Sequence, residues 1–253
     1  MKTLFIGQNL IYLKSIESTN SYANELLEQI NPLEGTLIYT FNQKKGRGQR
    51  GNRWECEANK NVALSIILNP PFLKLDEQFL LNKFVSLAVA DLLAEIISSN
   101  GKKQEVKIKW PNDIFINNKK IAGILIENTI RESTIQHTVI GIGININQTQ
   151  FNSDINATSL SLLLNKEFDL LMIIESLCEF IEARYLQLKS NNRGDINKAY
   201  LHQLYLFNEW HNYTSNNTIF EGKIIDISKI GKLQLQLKSG EVKDFDLKEI
   251  KLL

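Results

Sequence analysis

Residues 76–98 constrain the fold more than any other stretch of this chain. Phe79, Leu80, Phe84, Leu87, Ala88, Leu92 and Ile96 recur at helical spacing, so a long helix must bury one face. Such a helix needs a sheet or other helices to cover it. The flanks supply strands. Residues 62–68 (VALSIIL) are a continuous apolar run and read as a buried strand. Residues 10–16, 36–41, 106–110 and 137–147 read as further strands, and 113–116 with 121–127 as a hairpin around residues 117–120. Tyr22, Leu26, Leu27 and Ile30 share one face of a helix that Ser18 or Thr19 can cap. Residues 168–189 and 196–207 read as two more helices.

The chain changes character near residue 210. Beyond it come only short β runs, with glycines at 222, 231 and 240 and strict alternation over 232–238. The expected fold class is α+β: a mixed β-sheet with helices packed on one face over residues 1–209, and a small β-barrel over 210–253. Composition narrows the function classes. Lys+Arg 29 against Asp+Glu 28 leaves +1, so no global basic field argues for a nucleic-acid coat or a membrane surface. No apolar run reaches the roughly 18 residues of a membrane span, and the start lacks the pattern of a signal peptide. Cys56 and Cys178 make no framework, and His137, His202 and His211 lack metal-site spacing. A reducing, cytoplasmic compartment is expected, with no metal held by the protein alone.

Four polar segments interrupt the apolar pattern. Residues 44–54 (KKGRGQRGNRW) combine three glycines, which let backbone N–H groups approach a ligand, with three arginines suited to carboxylate or phosphate. They also fit a solvated basic loop; they are neither a P-loop nor a dinucleotide fingerprint. Residues 109–128 place Trp110-Pro111-Asn112-Asp113 at a strand end and Lys120 before an apolar strand. Asp113 suits Mg²⁺ or a proton, or the segment is a plain turn and a charged hairpin tip. In residues 141–148 (GIGININQ), two glycines mark a close approach of ligand or backbone, or a bend. Asn145 and Asn147 fall on one face, reading a purine edge or facing solvent. Glu17-Ser18-Thr19-Asn20 is what a helix N-cap looks like, and also a hydroxyl-and-amide cluster at a helix N-terminus. Together these segments fall at strand ends and tight turns, where ligands enter α/β and α+β folds.

In order and spacing, Ser18-Thr19-Asn20, Gln43 with Gly46-Arg47-Gly48-Gln49-Arg50-Gly51-Asn52-Arg53-Trp54, Lys109-Trp110-Pro111-Asn112-Asp113, Lys120 with Gly123-Ile124-Leu125, and Gly141-Ile142-Gly143-Ile144-Asn145 resemble the motif set of biotin protein ligases. The tail is similar to that family's small SH3-like domain. The resemblance implies a biotin/lipoate ligase-like sheet and a two-step reaction. Biotin and Mg-ATP give biotinyl-5′-AMP and pyrophosphate; a lysine of a biotin carboxyl carrier protein domain, as in acetyl-CoA carboxylase, then takes the biotinyl group. It further implies that Ser18, Thr19, Asn20 and Gln43 bind the biotin end. Gly46, Arg47, Gly48 and Arg50 wrap the carboxylate and phosphate. Lys120 lies beside the activated carboxyl and Gly123 leaves room for the ligand. Trp54 and Asn145 lie near adenine, and Asn112 and Asp113 face the reacting centre. Arg47 and Lys120 would offset the repulsion between a carboxylate and the α-phosphate, and Asp113 would take the proton of the incoming lysine.

Two departures stand out. Gln49 and Asn52 occupy positions where bifunctional ligase-repressors usually carry arginine, so looser retention of the adenylate is expected. A basic residue that some relatives use near their C-terminus is read as missing from the stretch that ends at Leu253, so no nucleotide contact is expected in the small domain. The pattern starts by residue 11, which fits a monofunctional ligase without a DNA-binding domain, and no operator binding and no membrane partner are expected. Monomer and homodimer remain equally open. The competing readings are a lipoate or octanoate ligase of the same superfamily, an RNA-binding module, and a biotin-binding pseudo-enzyme.

Overall fold

The computed structural model describes residues 2–190 and 192–253, without the side chain of Arg50. In chain order the elements are β1 (Leu10–Tyr12), α1 (Thr19–Gln29), β2 (Leu37–Thr40), β3 (Gly46–Arg47), β4 (Arg53–Trp54), β5 (Asn61–Leu68), α2 (Phe79–Ser99), β6 (Val106–Lys109), β7 (Asp113–Ile116), β8 (Lys119–Arg131) and β9 (Thr134–Asn145). There follow α3 (Leu160–Leu164), α4 (Leu170–Lys189), α5 (Arg193–Gln203), β10 (Trp210–Ser215), β11 (Thr218–Ile227), β12 (Leu233–Leu237), β13 (Val242–Phe245) and β14 (Lys251–Leu252).

Seven strands form one sheet in the order β1-β2-β5-β9-β8-β7-β6. Only β1 and β2 run parallel, so the sheet is mixed as expected. The two-residue side-chain period sorts its faces. Leu37 and Tyr39 of β2, Val62, Leu64, Ile66 and Leu68 of β5, and Ile140, Ile142 and Ile144 of β9 join the core under α2, α4 and α5. The alternate residues Ile38, Ile67 and Val139 pack with Ala23 of α1 in a separate small cluster. Helices α2, α4 and α5 thus share one face, and α1 lies on the other. It covers only part of its face. The uncovered part carries Gly143 and Gly123, and Ser65 and Gly141 lie at its edge against the first turn of α1.

Two hairpin turns use left-handed residues where they are cheapest. Asn117 and Asn118 sit at φ 50° and 60°, and the pair closes the β7–β8 hairpin. Glu132 and Ser133 at φ 49° and 67° close β8–β9, so both strands run past the expected limits. One register shift matters more. Between β7 and β8, Ile114 pairs with Ala122 but Phe115 pairs with Lys120, leaving Ile121 as the extra residue of a bulge. Without it, alternation from Gly123 would put Ile121 on the α1 face and Lys120 among the helices. The bulge reverses this: Ile121 is fully buried in the helix-side core and Lys120 joins Gly123 on the α1 face.

The tail is a second, five-stranded antiparallel sheet in the order β13-β12-β11-β10-β14. Among the described residues no pairing joins β13 to β14, so the expected barrel is an open sheet. Tyr213, Ile224, Leu233, Leu235 and Phe245 join the main core. The Trp110 indole donates to Gly231 O at 2.9 Å, tying the tail to the end of β6. The helix expected to reach residue 207 ends at Gln203: Leu204 bridges to Ile108, and Tyr205 N donates to Ile108 O at 2.8 Å. That turn brings Tyr205 and Leu206 into the wall of the cavity described next.

Candidate active site

A cavity of about 400 Å³ opens on the uncovered part of the α1 face, a size suited to a small-molecule ligand. Its walls come from the N-terminus of α1, the loop 47–54, the 109–113 turn, Lys120, Gly123, Gly141 and Gly143, and the tail sheet. Of the sequence-derived site residues, Ser18, Thr19, Asn20, Gln43, Arg47, Gly48, Trp54, Asn112, Asp113, Lys120 and Gly123 all line it. Gly46 lies behind the wall, where an added Cβ would overlap the Trp54 carbonyl. The Arg50 side chain lies outside the described residues.

The buried end is a closed polar circuit. Ser18 caps α1, accepting from Ser21 N at 3.4 Å. The Gln43 Oε1 accepts from Thr19 N at 2.9 Å. The Ser65 hydroxyl sits 2.6 Å from Asn20 Oδ1, to which it donates, and 2.8 Å from Thr19 Oγ1. Thr19, Asn20 and Ser65 are nearly or wholly buried, so each polar atom left unmatched here would be costly. Ser65 escaped the sequence reading. Its signal was a lone hydroxyl inside an otherwise apolar strand, VALSIIL. The close approach marked by Gly141 is to Asn20, whose amide an added Cβ would strike.

The exposed end is cationic. Arg47, Arg53, Lys109, Lys120 and Lys251 line the cavity against one carboxylate, Asp113. For a chain of net charge +1, this is a concentrated anion site. The loop is more ordered than a solvated loop. β3 and β4 pair, and Gly48 N donates to Asn52 O at 2.7 Å. Arg47 donates to Glu127 Oε1 at 2.5 Å and to Ser21 Oγ at 3.3 Å. The Trp54 indole lies over Gly143 and Gly123, where any side chain would displace it, and its Nε1 has no partner.

Between the two ends, Lys120 Nζ pairs with Asp113 Oδ1 at 2.7 Å and lies 5.5 Å from the Trp54 ring. Both charges are about three-quarters buried, at 30% and 26% exposure, which strengthens the pair relative to a surface one. Residues 156–158 strap Lys120 in place: its N donates to Asn156 O and its O accepts from Thr158 N. Asn112 spends its amide on Ile124 O at 2.6 Å, clipping the 109–113 turn to β8.

Two expectations change. Asn145 does not line the cavity; it is 3% exposed and donates to Thr158 O at 3.0 Å, so it holds the strap behind Lys120. The tail sheet supplies Tyr213, Lys251 and Leu252 to the wall, which removes the ground for expecting no nucleotide contact there. Burial, reinforced by Glu209, pushes the Tyr213 hydroxyl up to about 12, so it stays protonated. Burial likewise raises the Cys56 thiol to about 11, leaving it a poor nucleophile at neutral pH. No group of three or more His, Cys, Asp or Glu suited to a metal occurs among the described residues.

Residues 12–145 match the model of the biotin/lipoate A/B protein ligase family, just over half of the chain. This chain belongs to that family. It is 33% identical over 245 residues to the bifunctional ligase/repressor BirA of Bacillus subtilis, covering 95% of this chain and 73% of that protein. It is 30% identical over 160 residues to the biotin–[acetyl-CoA-carboxylase] ligase of Mycobacterium tuberculosis, 63% of this chain and 58% of that one. The biotin protein ligase from Aquifex aeolicus, solved in complex with biotin and ATP, superposes with TM-score 0.78 at 26% identity, covering 97% and 99% of the two chains.

Proposed function

We propose that this ligase activates biotin with ATP to biotinyl-5′-AMP and transfers the biotinyl group to a lysine of an acetyl-CoA carboxylase-type carrier domain. The observation that carries the reading is the polarity of the cavity: a buried ring of amides and hydroxyls at one end, the cations Arg47, Arg53, Lys109 and Lys251 at the other, and Lys120 between them. That order matches a neutral ureido ring, a carboxylate, and a nucleotide, laid end to end.

In the first step a biotin carboxylate oxygen bonds to the α-phosphorus, and the bond from that phosphorus to the bridging oxygen breaks to release pyrophosphate. Arg47 and Lys120 offset the repulsion between the two anions. In the second step the carrier lysine amine attacks the acyl carbon, and AMP leaves with the electron pair. Asp113 is the carboxylate in the cavity wall placed to take the amine's proton. Trp54, over the glycine floor, excludes water from the anhydride. A single carboxylate suits a Mg²⁺ that stays largely on the phosphates and hydrated, where it would neutralise the leaving group; Asp113 and Asn112 are the donors at hand. Residues 1–209 form the catalytic unit, and 210–253 close the outer wall. The two free cysteines suit a reducing, cytoplasmic location.

Biotin-dependent ATP–pyrophosphate exchange, with lipoate and octanoate in parallel, tests the reading. Exchange with biotin alone is expected. Exchange with lipoate or octanoate instead would move the chain to the sister enzymes of its family, and no exchange with any acid would leave a binding site without the chemistry.

A further inference from the structure

Glu127, near the middle of β8, was not singled out by any motif, yet it bonds to residues from both ends of the cavity. Its Oε2 accepts from Asn20 Nδ2 at 2.9 Å and from Asn24 Nδ2 at 3.3 Å. These two amides are one helical turn apart on α1, so the carboxylate is fixed against a regular element. Its Oε1 accepts from Arg47, the loop cation nearest that helix. Arg47 is 46% exposed on a two-residue strand and has no other side-chain partner than Ser21. Two of the five guanidinium N–H donors are thereby used, and three have no partner among the described residues. The guanidinium is planar and rigid, so fixing one edge aims the rest.

We infer that Glu127 is a positioning residue for adenylation: clamped by Asn20 and Asn24, it holds the Arg47 guanidinium so that its free N–H groups face the acid's carboxylate and the phosphate. This inference rests on the proposed function for its substrate and deepens it. Glu127 does not itself line the cavity, so it acts through Arg47. A carboxylate of equal charge elsewhere on the loop would not serve, because the orientation comes from the two amides of α1. Loop order and anion chemistry are thus tied to the same helix that binds the uncharged end of the substrate.

The test is a double-mutant cycle on the full chain with Glu127→Gln and Arg47→Ala, read two ways. Glutamine keeps an acceptor for Asn20 and loses the charge that holds Arg47. In pyrophosphate exchange, Glu127→Gln is expected to lower kcat about tenfold, the scale of one charge-assisted hydrogen bond, with KM for biotin within about twofold. In the Arg47→Ala background the same change is expected to add nothing. Without ligands, amide hydrogen exchange across residues 46–48 is expected to quicken several-fold in Glu127→Gln, and no further in the double variant. The same loss in both backgrounds, a rise in KM for biotin matching the fall in kcat, or unchanged loop exchange would each overturn the inference. If wild type fails to use biotin, the functional reading falls, while the loop-exchange cycle still decides whether Glu127 holds Arg47.

Discussion

The floor and the loop wall of this cavity are built by different rules. The floor (Thr19, Asn20, Ser65, Gly141 and Gly143) stands on a long helix-facing sheet and on the first turn of α1, and its hydrogen bonds are buried and mutually satisfied. The wall made by residues 46–54 stands on two-residue strands and a half-exposed ion pair. Buried networks hold geometry because an unmatched group is expensive; exposed ion pairs hold it weakly. The chemistry follows the division. Recognition of an uncharged ring tolerates no play, whereas a wall that must admit ATP and release a product has to open. Lys120 sits at the boundary, strapped like the floor and charged like the wall.

The boundary gives the largest expected effect. Lys120→Ala should leave the fold intact, since Lys120 is a partly exposed residue beside the bulge, and cut biotinyl-AMP synthesis by roughly 10²–10³, the scale of losing one preorganised charge at the reacting centre. Unchanged synthesis would remove Lys120 from the mechanism. On the floor, Ser65→Ala leaves Asn20 Oδ1 without its donor, costing roughly 1–3 kcal/mol. Because this contact orders the pocket before and during reaction alike, KM for biotin should rise by roughly five- to a hundredfold with kcat little changed. A fall in kcat at constant KM would mean that the floor is not passive. On the wall, Gln49 lines the cavity with an unpartnered Oε1. Gln49→Arg should slow release of biotinyl-AMP about tenfold by adding a charge-assisted hydrogen bond. Equal release rates would show that this position does not govern retention.

The same division decides what was legible in the sequence. The sheet and its helices follow from local periodicity, whereas Ser18, Thr19, Gln43, Asp113 and Lys120, which meet in one cavity, are joined in the sequence only by the resemblance to a motif set. The glycines at 141 and 143 correctly marked close approaches. Their partners, the Asn20 amide and the Trp54 indole, come from segments roughly a hundred residues away in sequence, and no local pattern encodes them. Asn145 misled for the same reason. Its face was read correctly, but an amide takes whichever carbonyl the fold delivers, here Thr158. Asn147 likewise bonds both Phe168 backbone groups and holds chain, not ligand. Glu127 was invisible because an acid on a strand carries no signal until its donors from α1 arrive.

Salt gives the smallest and sharpest separation. The Arg47–Glu127 pair is partly exposed, so raising salt from roughly 0.05 to 0.5 M shortens the Debye length from more than ten ångströms to a few and weakens it. A pair of this exposure contributes up to about 1 kcal/mol, so amide exchange across residues 46–48 should quicken by no more than about fivefold. The contacts among Thr19, Asn20, Ser65 and Gln43 are between neutral amides and hydroxyls, and the circuit meets an ion pair only where Asn20 Nδ2 donates to Glu127. Exchange at Thr19, whose N–H is held by Gln43, should therefore stay constant over the same range. If both regions respond together, the floor and wall open as one unit, and the loop is not an independently moving gate. If only the wall responds, substrate entry is governed by electrostatics that leave ring recognition untouched. Ionic strength would then tune the rate of adenylation without altering the choice of acid.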